Sequence, residues 1–199
     1  RQGQVSSYSY YSVMPHRVAV TCPECGGKAA FEYAERVRIK TNDDLRWFEK
    51  SKHFDCLKQA GVDGQNYHAA IYYHQLMGNT LPTISDLPRG YKIEDWAHSE
   101  HTFRPLSDWR GTLVCGSCGK RSKHTLDWPR EAYFQIEYRN QNLWAFDRAS
   151  TAELIDYICA SHRRQDDFVY WPFLMRIPHV FLTRQARETV VKRLRKRLA

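Results

Sequence analysis

The amino-acid sequence predicts an α+β protein on three observations. Short apolar runs before residues 22 and 115 are typical of strands, and each leads directly into a Cys-x-x-Cys pair. Residues 133–138 and 143–146 alternate between apolar and polar around residues 139–142, which predicts a β-hairpin. Residues 183–199 place apolar side chains on one stripe of a basic helix. A hydrophobic content of 42% is enough for a packed core.

The two cysteine pairs are Cys22/Cys25 and Cys115/Cys118, and a glycine follows each pair. A Cys-x-x-Cys turn directs two sulfurs to one point, and Zn²⁺ prefers a tetrahedral shell of four ligands. The sequence therefore predicts one zinc ion held by all four cysteines. The closed shell leaves no position for a substrate, so this zinc is expected to be structural. Two separate redox motifs are the alternative, but such motifs open a helix after a βαβ strand, which neither pair does.

Three other residues enter this prediction. His124 follows the second pair and is an alternative ligand, although four thiolates make it unnecessary. Cys56 and Cys159 stand alone. We expect each of them on an apolar helical face, as a reduced thiol that zinc binding does not need.

The predicted fold is a split zinc ribbon with a β-hairpin extension, a helical insertion and C-terminal helices. A flexible N-terminal tail is expected over residues 1–16. The ribbon and its hairpin take residues 17–40 and 112–147, and the mostly helical insertion takes residues 41–111. Within the insertion, Thr41 and Asn42 predict the cap of a helix that continues to about Gln59. A second helix is expected from Gln65 to Met77, where Gly78 stops it.

The C-terminal helical segment is predicted over residues 148–199. Ser150 and Glu153 read as a capping box that opens a helix to about Arg164. The last helix is expected to begin near Thr183. Its apolar stripe consists of Val190, Val191, Leu194 and Leu198.

Five segments in and around this region form one pattern: Leu143–Asp147, Leu154–Ile158, Pro172–Leu174, Ile177–Pro178 and Arg187–Leu198. Together they resemble the C-terminal half of small bacterial zinc-ribbon proteins. In that family a ribbon precedes a Leu-Trp pair, a helix, a proline and a basic helix. The resemblance covers roughly residues 112–199 and the first cysteine pair. It implies a ribbon and a helical C-terminal part but no reaction, because the family is largely uncharacterised, and the long insertion departs from its pattern.

Most of the positive charge belongs to the last helix. The net charge is +8 and the isoelectric point is near 9.2, and residues 183–199 carry seven cations against Glu188 alone. Such a helix favours contact with phosphates, so we expect DNA or RNA binding without sequence readout. A solvated face that packs on the ribbon is the alternative. The expected contacts are Arg184, Arg187, Lys192, Arg195 and Lys196.

Tyrosines at positions 8, 10 and 11 could stack on unpaired bases, whereas Tyr67, Tyr72 and Tyr73 are expected to pack in a helical core. The six tryptophans suggest a second hypothesis, in which the protein is an adaptor that binds a partner protein through an exposed aromatic anchor. Trp128 and Trp144 are instead expected to pack in the core around the zinc.

A metal-dependent hydrolase or nuclease is the third hypothesis. It rests on the cluster at His98 and His101, whose spacing fits no mechanism we can name. No apolar stretch approaches the ~20 residues of a membrane span. Residues 1–14 lack the apolar centre of a secretion signal, so a cytoplasmic location is expected.

Overall fold

The computed structural model of the protein describes residues 14–61, 64–78, 84, 86–97 and 109–199. Within these ranges the fold is α+β, as predicted, with antiparallel strands in three sheets and four helices. The strands are β1 (Arg17–Thr21), β2 (Lys28–Tyr33), β3 (Glu35–Arg38), β4 (Phe54–Ala60), β5 (Asn66–Tyr72), β6 (Arg110–Cys115), β7 (Arg121–Thr125), β8 (Gln135–Tyr138) and β9 (Gln141–Trp144). The helices are α1 (Asn42–Lys50), α2 (Arg148–Cys159), α3 (Trp171–Leu174) and α4 (Arg184–Leu198).

The ribbon is a four-stranded sheet in the order β1-β2-β6-β7. Its two hairpins, β1-β2 and β6-β7, each turn at one cysteine pair. Strands β2 and β6 pair antiparallel, and this pairing sets Ala29 opposite Cys115. The sheet therefore joins two hairpins that are far apart in sequence, and the split ribbon is confirmed.

The insertion differs from the mostly helical segment that the sequence suggested. Helix α1 has its predicted cap, because the Thr41 hydroxyl accepts a hydrogen bond from the Asp44 amide and the Asp44 carboxylate accepts one from the Thr41 amide. The helix ends at Lys50 rather than near Gln59. Strand β4 takes up the residues that follow and pairs with β5.

The predicted second helix, Gln65 to Met77, is wrong, because strand β5 occupies residues 66–72. This strand is the centre of a sheet in the order β3-β5-β4 and is buried on both faces at its end. Tyr72 packs with Phe54 and Trp96 on one face, while Ile71 lies in a cluster with Ala34 on the other. A strand buried on both faces has a continuous apolar run, which periodicity does not distinguish from a buried helix. Strand β3, which belongs to the same sheet, lies before residue 41, where the insertion was predicted to begin.

The main core lies between the ribbon, the β8-β9 hairpin and the C-terminal helices. The hairpin turns at Arg139 and Asn140, whose φ angles of 50° and 60° lie in the left-handed region. Helix α2 begins one turn earlier than predicted, because Asp147 is its N-cap and Ser150 is its N3 residue. It also ends at Cys159, before the predicted Arg164.

Helix α4 follows the prediction. The Thr183 hydroxyl accepts a hydrogen bond from the Ala186 amide and caps its first turn. Val190, Val191 and Leu194 are buried in the main core, and Leu198 is half-buried.

Most of the predicted N-terminal tail, residues 1–13, lies outside the described residues. Met14 is buried, however, and its Sδ accepts a hydrogen bond from the Tyr33 hydroxyl at 3.7 Å. His16 pairs with Glu35 at 3.4 Å. The folded part therefore includes the last residues that the sequence assigned to the tail.

Candidate metal centre and basic surface

The sulfurs of Cys22, Cys25, Cys115 and Cys118 all lie within 4.8 Å of one another. The Sγ atoms of Cys22 and Cys118 are 3.8 Å apart, and those of Cys25 and Cys115 are 3.6 Å apart. A tetrahedral ion with metal–sulfur bonds of about 2.3 Å requires sulfur–sulfur edges of about 3.8 Å. The four side chains thus have the spacing of a tetrahedral metal site.

The two hairpins contribute similar halves to this site. Each supplies one buried cysteine at the end of its first strand, Cys22 or Cys115, and one exposed cysteine in its turn, Cys25 or Cys118. The buried sulfurs face the main core, so the site is anchored on one side and reaches solvent on the other.

Backbone amides surround the sulfurs. The amide of Gly27 donates to Cys25 Sγ at 3.4 Å, and the amides of Ser117 and Cys118 donate to Cys115 Sγ at 3.4 and 3.5 Å. The Cys118 amide, followed by that of Ser117, lowers the pKa of Cys115 to about 6. At Cys25 the Gly27 amide acts in the same direction, but the hydrogen bond with the Cys115 sulfur raises the pKa to about 12. The amides thus favour the thiolate, which is the form that binds metal, at Cys115, whereas the close sulfurs keep Cys25 protonated until a metal replaces the proton.

The positive φ of 70° at Gly26 and 73° at Gly119 explains the glycine after each pair. Only glycine adopts this conformation without a steric cost, and it turns the following amides back towards the sulfurs. The two Cys-x-x-Cys pairs and the glycine after each were therefore sufficient to identify the four clustered residues from the sequence.

The other candidate ligands lie elsewhere. His124 Nε2 is 2.8 Å from Glu131 Oε2 and does not belong to the sulfur cluster. The expectation for the two remaining cysteines is corrected, because Cys56 lies on strand β4 and Cys159, although helical, is exposed. Burial raises the pKa of Cys56 above its usual range. None of the six cysteines forms a disulfide bond.

Helix α4 has an exposed cationic face. Arg184, Lys192, Arg195 and Lys196 are all exposed, and within the described residues none of them forms an ion pair. Arg187 lies at the edge of the buried face, and its Nε is buried. Four of the five expected phosphate contacts are thus presented to solvent together.

Two further arginines of α4 attach the helix to the hairpin. Arg193 Nη1 donates to the Glu137 carbonyl, and Arg197 Nε donates to the Gln135 carbonyl at 3.2 Å. The guanidinium of Arg197 also lies 6.0 Å from the ring centre of Tyr133.

Two clefts border this region. The first, which we call the helix cleft, has a volume of about 510 Å³ and lies between β8 and the end of α4. Its polar lining includes Tyr133, Gln135, Arg193, Lys196 and Arg197. The second, the sheet cleft, has a volume of about 410 Å³ and lies against the outer face of the ribbon. Ala19, Ala30 and Val114 line it together with Arg17, Lys28 and Arg148.

The aromatic residues pack rather than project. Tyr72 and Tyr73 are buried and Tyr67 is half-buried, but Tyr67 and Tyr72 lie on strand β5 and Tyr73 directly follows it, so none of them is on the predicted helix. All six tryptophans are buried or half-buried. The predicted packing of Trp128 and Trp144 is confirmed by their T-shaped contact at 5.2 Å in the main core.

The cluster around His98 and His101, and the tyrosines at positions 8, 10 and 11, lie outside the described residues. In the part of the chain that is described, no helix has both the length and the apolar content needed to cross a bilayer. Comparisons with protein-family models, with curated proteins and with solved structures find no match to this chain.

Proposed function

We propose that this chain is a non-catalytic zinc protein that binds nucleic acid through the basic face of α4. The observation that carries the nucleic-acid part is the group of four exposed cations on one helix, Arg184, Lys192, Arg195 and Lys196. Glu188 is the one acidic residue of this helix. Phosphate contacts of this kind depend on charge and not on base sequence.

Zinc is the metal that best suits the sulfur cluster. Four thiolates in tetrahedral spacing are typical of structural zinc, whereas calcium and magnesium take oxygen ligands. When bound, the ion would be held by Cys22, Cys25, Cys115 and Cys118 and would link the two hairpins. It would supply folding stability and no open position for a substrate. The resemblance to small bacterial zinc-ribbon proteins agrees with this proposal.

The position of α4 supports binding at a surface. Its buried face packs into the main core, and Arg193 and Arg197 fix it to β8. The outward cations are therefore presented on a rigid support, which reduces the ordering cost of binding.

The test is a salt titration of binding by fluorescence anisotropy, with a labelled DNA or RNA oligonucleotide. Each phosphate contact contributes roughly 0.7–0.9 to the slope of log affinity against log salt. Replacing Arg184, Lys192, Arg195 and Lys196 by glutamine removes the four charges and preserves helix propensity. We expect this variant to bind more weakly at low salt and to have a slope smaller by about 3.

The matched control replaces four exposed cations of the insertion by glutamine: Lys50, Lys52, Lys58 and Arg89. The control variant should bind like the wild type. Equal losses in the two variants would mean that net charge, and not α4, determines binding.

If the wild type binds neither DNA nor RNA at low salt, the proposal fails and an adaptor role takes its place. The observation in favour of an adaptor is the exposure of two apolar side chains between α2 and α4, Val169 at 84% and Met175 at 56%.

A further inference from the structure

We propose that the sheet cleft and the helix cleft form one continuous binding track for a single-stranded nucleic acid. Arg17, Lys28 and Arg148 would then contact the strand in addition to the cations of α4. This inference rests on the proposed nucleic-acid binding, and it adds the type of strand and its path.

The floor of the sheet cleft is small and apolar. In the register of the ribbon, Ala19 lies opposite Ala30, and Ala30 lies opposite Val114. The three side chains form a row on the outer face of the sheet, since their neighbours Val18 and Val20 point into the core. All three are half-buried, so the row is accessible. Such a floor accepts the flat face of a base.

The rim of the sheet cleft is positively charged. Arg17, Lys28 and Arg148 are exposed, and Asp147 is the carboxylate among the lining residues. Asp147 is already engaged, because its Oδ1 accepts hydrogen bonds from the amide and the hydroxyl of Ser150 at 2.7 and 2.8 Å. Within the described residues, Arg17 and Lys28 have no ion-pair partner. Arg148 also uses one of its donors on the Leu198 carbonyl, and its remaining donors lie on the rim with Arg17 and Lys28. The rim thus carries three cations against one carboxylate and matches an anionic ligand.

The helix cleft has the same composition. Arg193, Lys196 and Arg197 line it, with Glu137 as the carboxylate, and the half-buried ring of Tyr133 contributes an aromatic surface. Single-strand-binding proteins combine these two features, a cationic groove for the backbone and aromatic rings on which bases stack.

The two clefts adjoin each other. Neighbouring residues of one segment line them, Phe134 the sheet cleft and Tyr133 the helix cleft. The Tyr133 amide donates to the Ala19 carbonyl at 3.0 Å, which joins this segment to β1. On the other side, Arg148 donates to the carbonyl of Leu198, beside the end of the helix cleft. The proposed path of the strand crosses this junction, where Arg148 of one cleft meets the C-terminal end of α4 that lines the other.

The concave shape favours an unpaired strand over a duplex. Volumes of about 410 and 510 Å³ are those of small-ligand sites, in which a base or a sugar-phosphate unit fits. A duplex keeps its bases stacked inside and would contact the rims alone.

The experiment measures anisotropy of the full chain with labelled oligo(dT), oligo(rU) and a DNA duplex of equal length. We expect either single strand to bind about tenfold more tightly than the duplex at low salt. The relative affinities of oligo(dT) and oligo(rU) then assign the strand to DNA or RNA. Replacing Arg17 and Lys28 by glutamine should weaken single-strand binding about tenfold and reduce the salt slope by about 1.4.

A charge-matched control replaces Lys52 and Lys58, two exposed cations of the insertion, by glutamine and should leave binding unchanged. A third variant, Tyr133→Leu, keeps apolar volume but removes the stacking ring, and it should weaken single-strand binding about tenfold. Thermal unfolding of each variant checks that the fold is retained.

The outcomes separate this inference from the proposed function. If the duplex binds as tightly as the single strands, or if the Arg17/Lys28 variant binds like the wild type, the track is refuted while binding through α4 stands. If the wild type binds none of the three probes, both proposals fail.

Discussion

Replacing Cys115 by serine should cost the protein its metal and a large part of its stability. Cys115 is buried, with 3% of its surface exposed, and its sulfur accepts two amide hydrogen bonds. It also lies at the point where the two hairpins join, opposite Ala29 of the other hairpin. Serine offers a weakly acidic hydroxyl instead of a thiolate, so the fourth ligand is lost.

The magnitude follows from the length of chain that the metal closes. Cys25 and Cys115 are 90 positions apart. A cross-link that closes a loop of this length restricts the unfolded chain by ~4.6 kcal/mol at 25 °C. Domains are typically stable by only about 5–15 kcal/mol, so this term alone is a third or more of the total. With a urea m-value of about 2 kcal/mol/M, the midpoint should fall by about 2 M.

The assay combines elemental zinc analysis with urea unfolding followed by tryptophan fluorescence. The wild type should contain one zinc ion per chain and the Cys115→Ser variant none. The control replaces Cys56 and Cys159 by alanine and should keep its zinc, because neither sulfur belongs to the cluster. A Cys115→Ser variant with one zinc ion and an unchanged midpoint would refute the reasoning, and zinc loss in the control would show that the ligand set is wrong.

Two further substitutions test the packing that supports the site. Gly111→Ala should destabilise the fold by about 3 kcal/mol or more, because the added Cβ would lie 2.2 Å from the Glu32 carbonyl oxygen; Gly116→Ala, whose Cβ meets nothing within 4 Å, should have little effect in the same urea assay. Thr183→Ala should cost about 1 kcal/mol by removing the cap of α4. Thr189→Ala, in the exposed middle of that helix, should cost nothing, because alanine has a higher helix propensity than threonine. Equal midpoints within either pair would contradict the corresponding argument.

The sequence was most informative where the determinants are local. A Cys-x-x-Cys turn followed by glycine specifies its own geometry within six residues, and Gly26 and Gly119 adopt the expected left-handed conformation. The N-cap at Thr41 and the apolar stripe of α4 likewise depend on residues that are close together in sequence. These features could be predicted because few distant contacts compete with them.

The helix prediction for residues 65–77 was wrong because strand β5 is buried on both faces and so lacks the apolar–polar alternation of an exposed strand. Strand β5 carries Ala69, Ala70, Ile71 and Tyr72 in a row, all buried, because the sheet is covered on both faces at this point. Alternation is lost in such a strand, and a helix was the natural interpretation. At α2 the cap was expected at Ser150, but Asp147 takes that position because its carboxylate accepts hydrogen bonds from both the amide and the hydroxyl of Ser150.

The clefts could not be predicted, because residues distant in sequence form them. Arg17, Lys28 and Arg148 come from two strands and a helix, and only the pairing of β1 with β2 and the docking of α2 bring them together. In sequence they are isolated cations on elements with little net charge.

Of the two clefts, the sheet cleft adjoins the cysteine turns and the helix cleft does not. Lys28 begins β2 directly after the first cysteine turn, and Gly116, in the second turn, also lines the sheet cleft. The position of this cleft therefore depends on the sulfur cluster that holds the two turns together. Helix α4, in contrast, is fixed to the hairpin by Arg193 and Arg197, and its apolar face packs in the main core. A metal bound by the four cysteines would thus help to order the sheet cleft, whereas the helix cleft depends on the docking of α4 against β8.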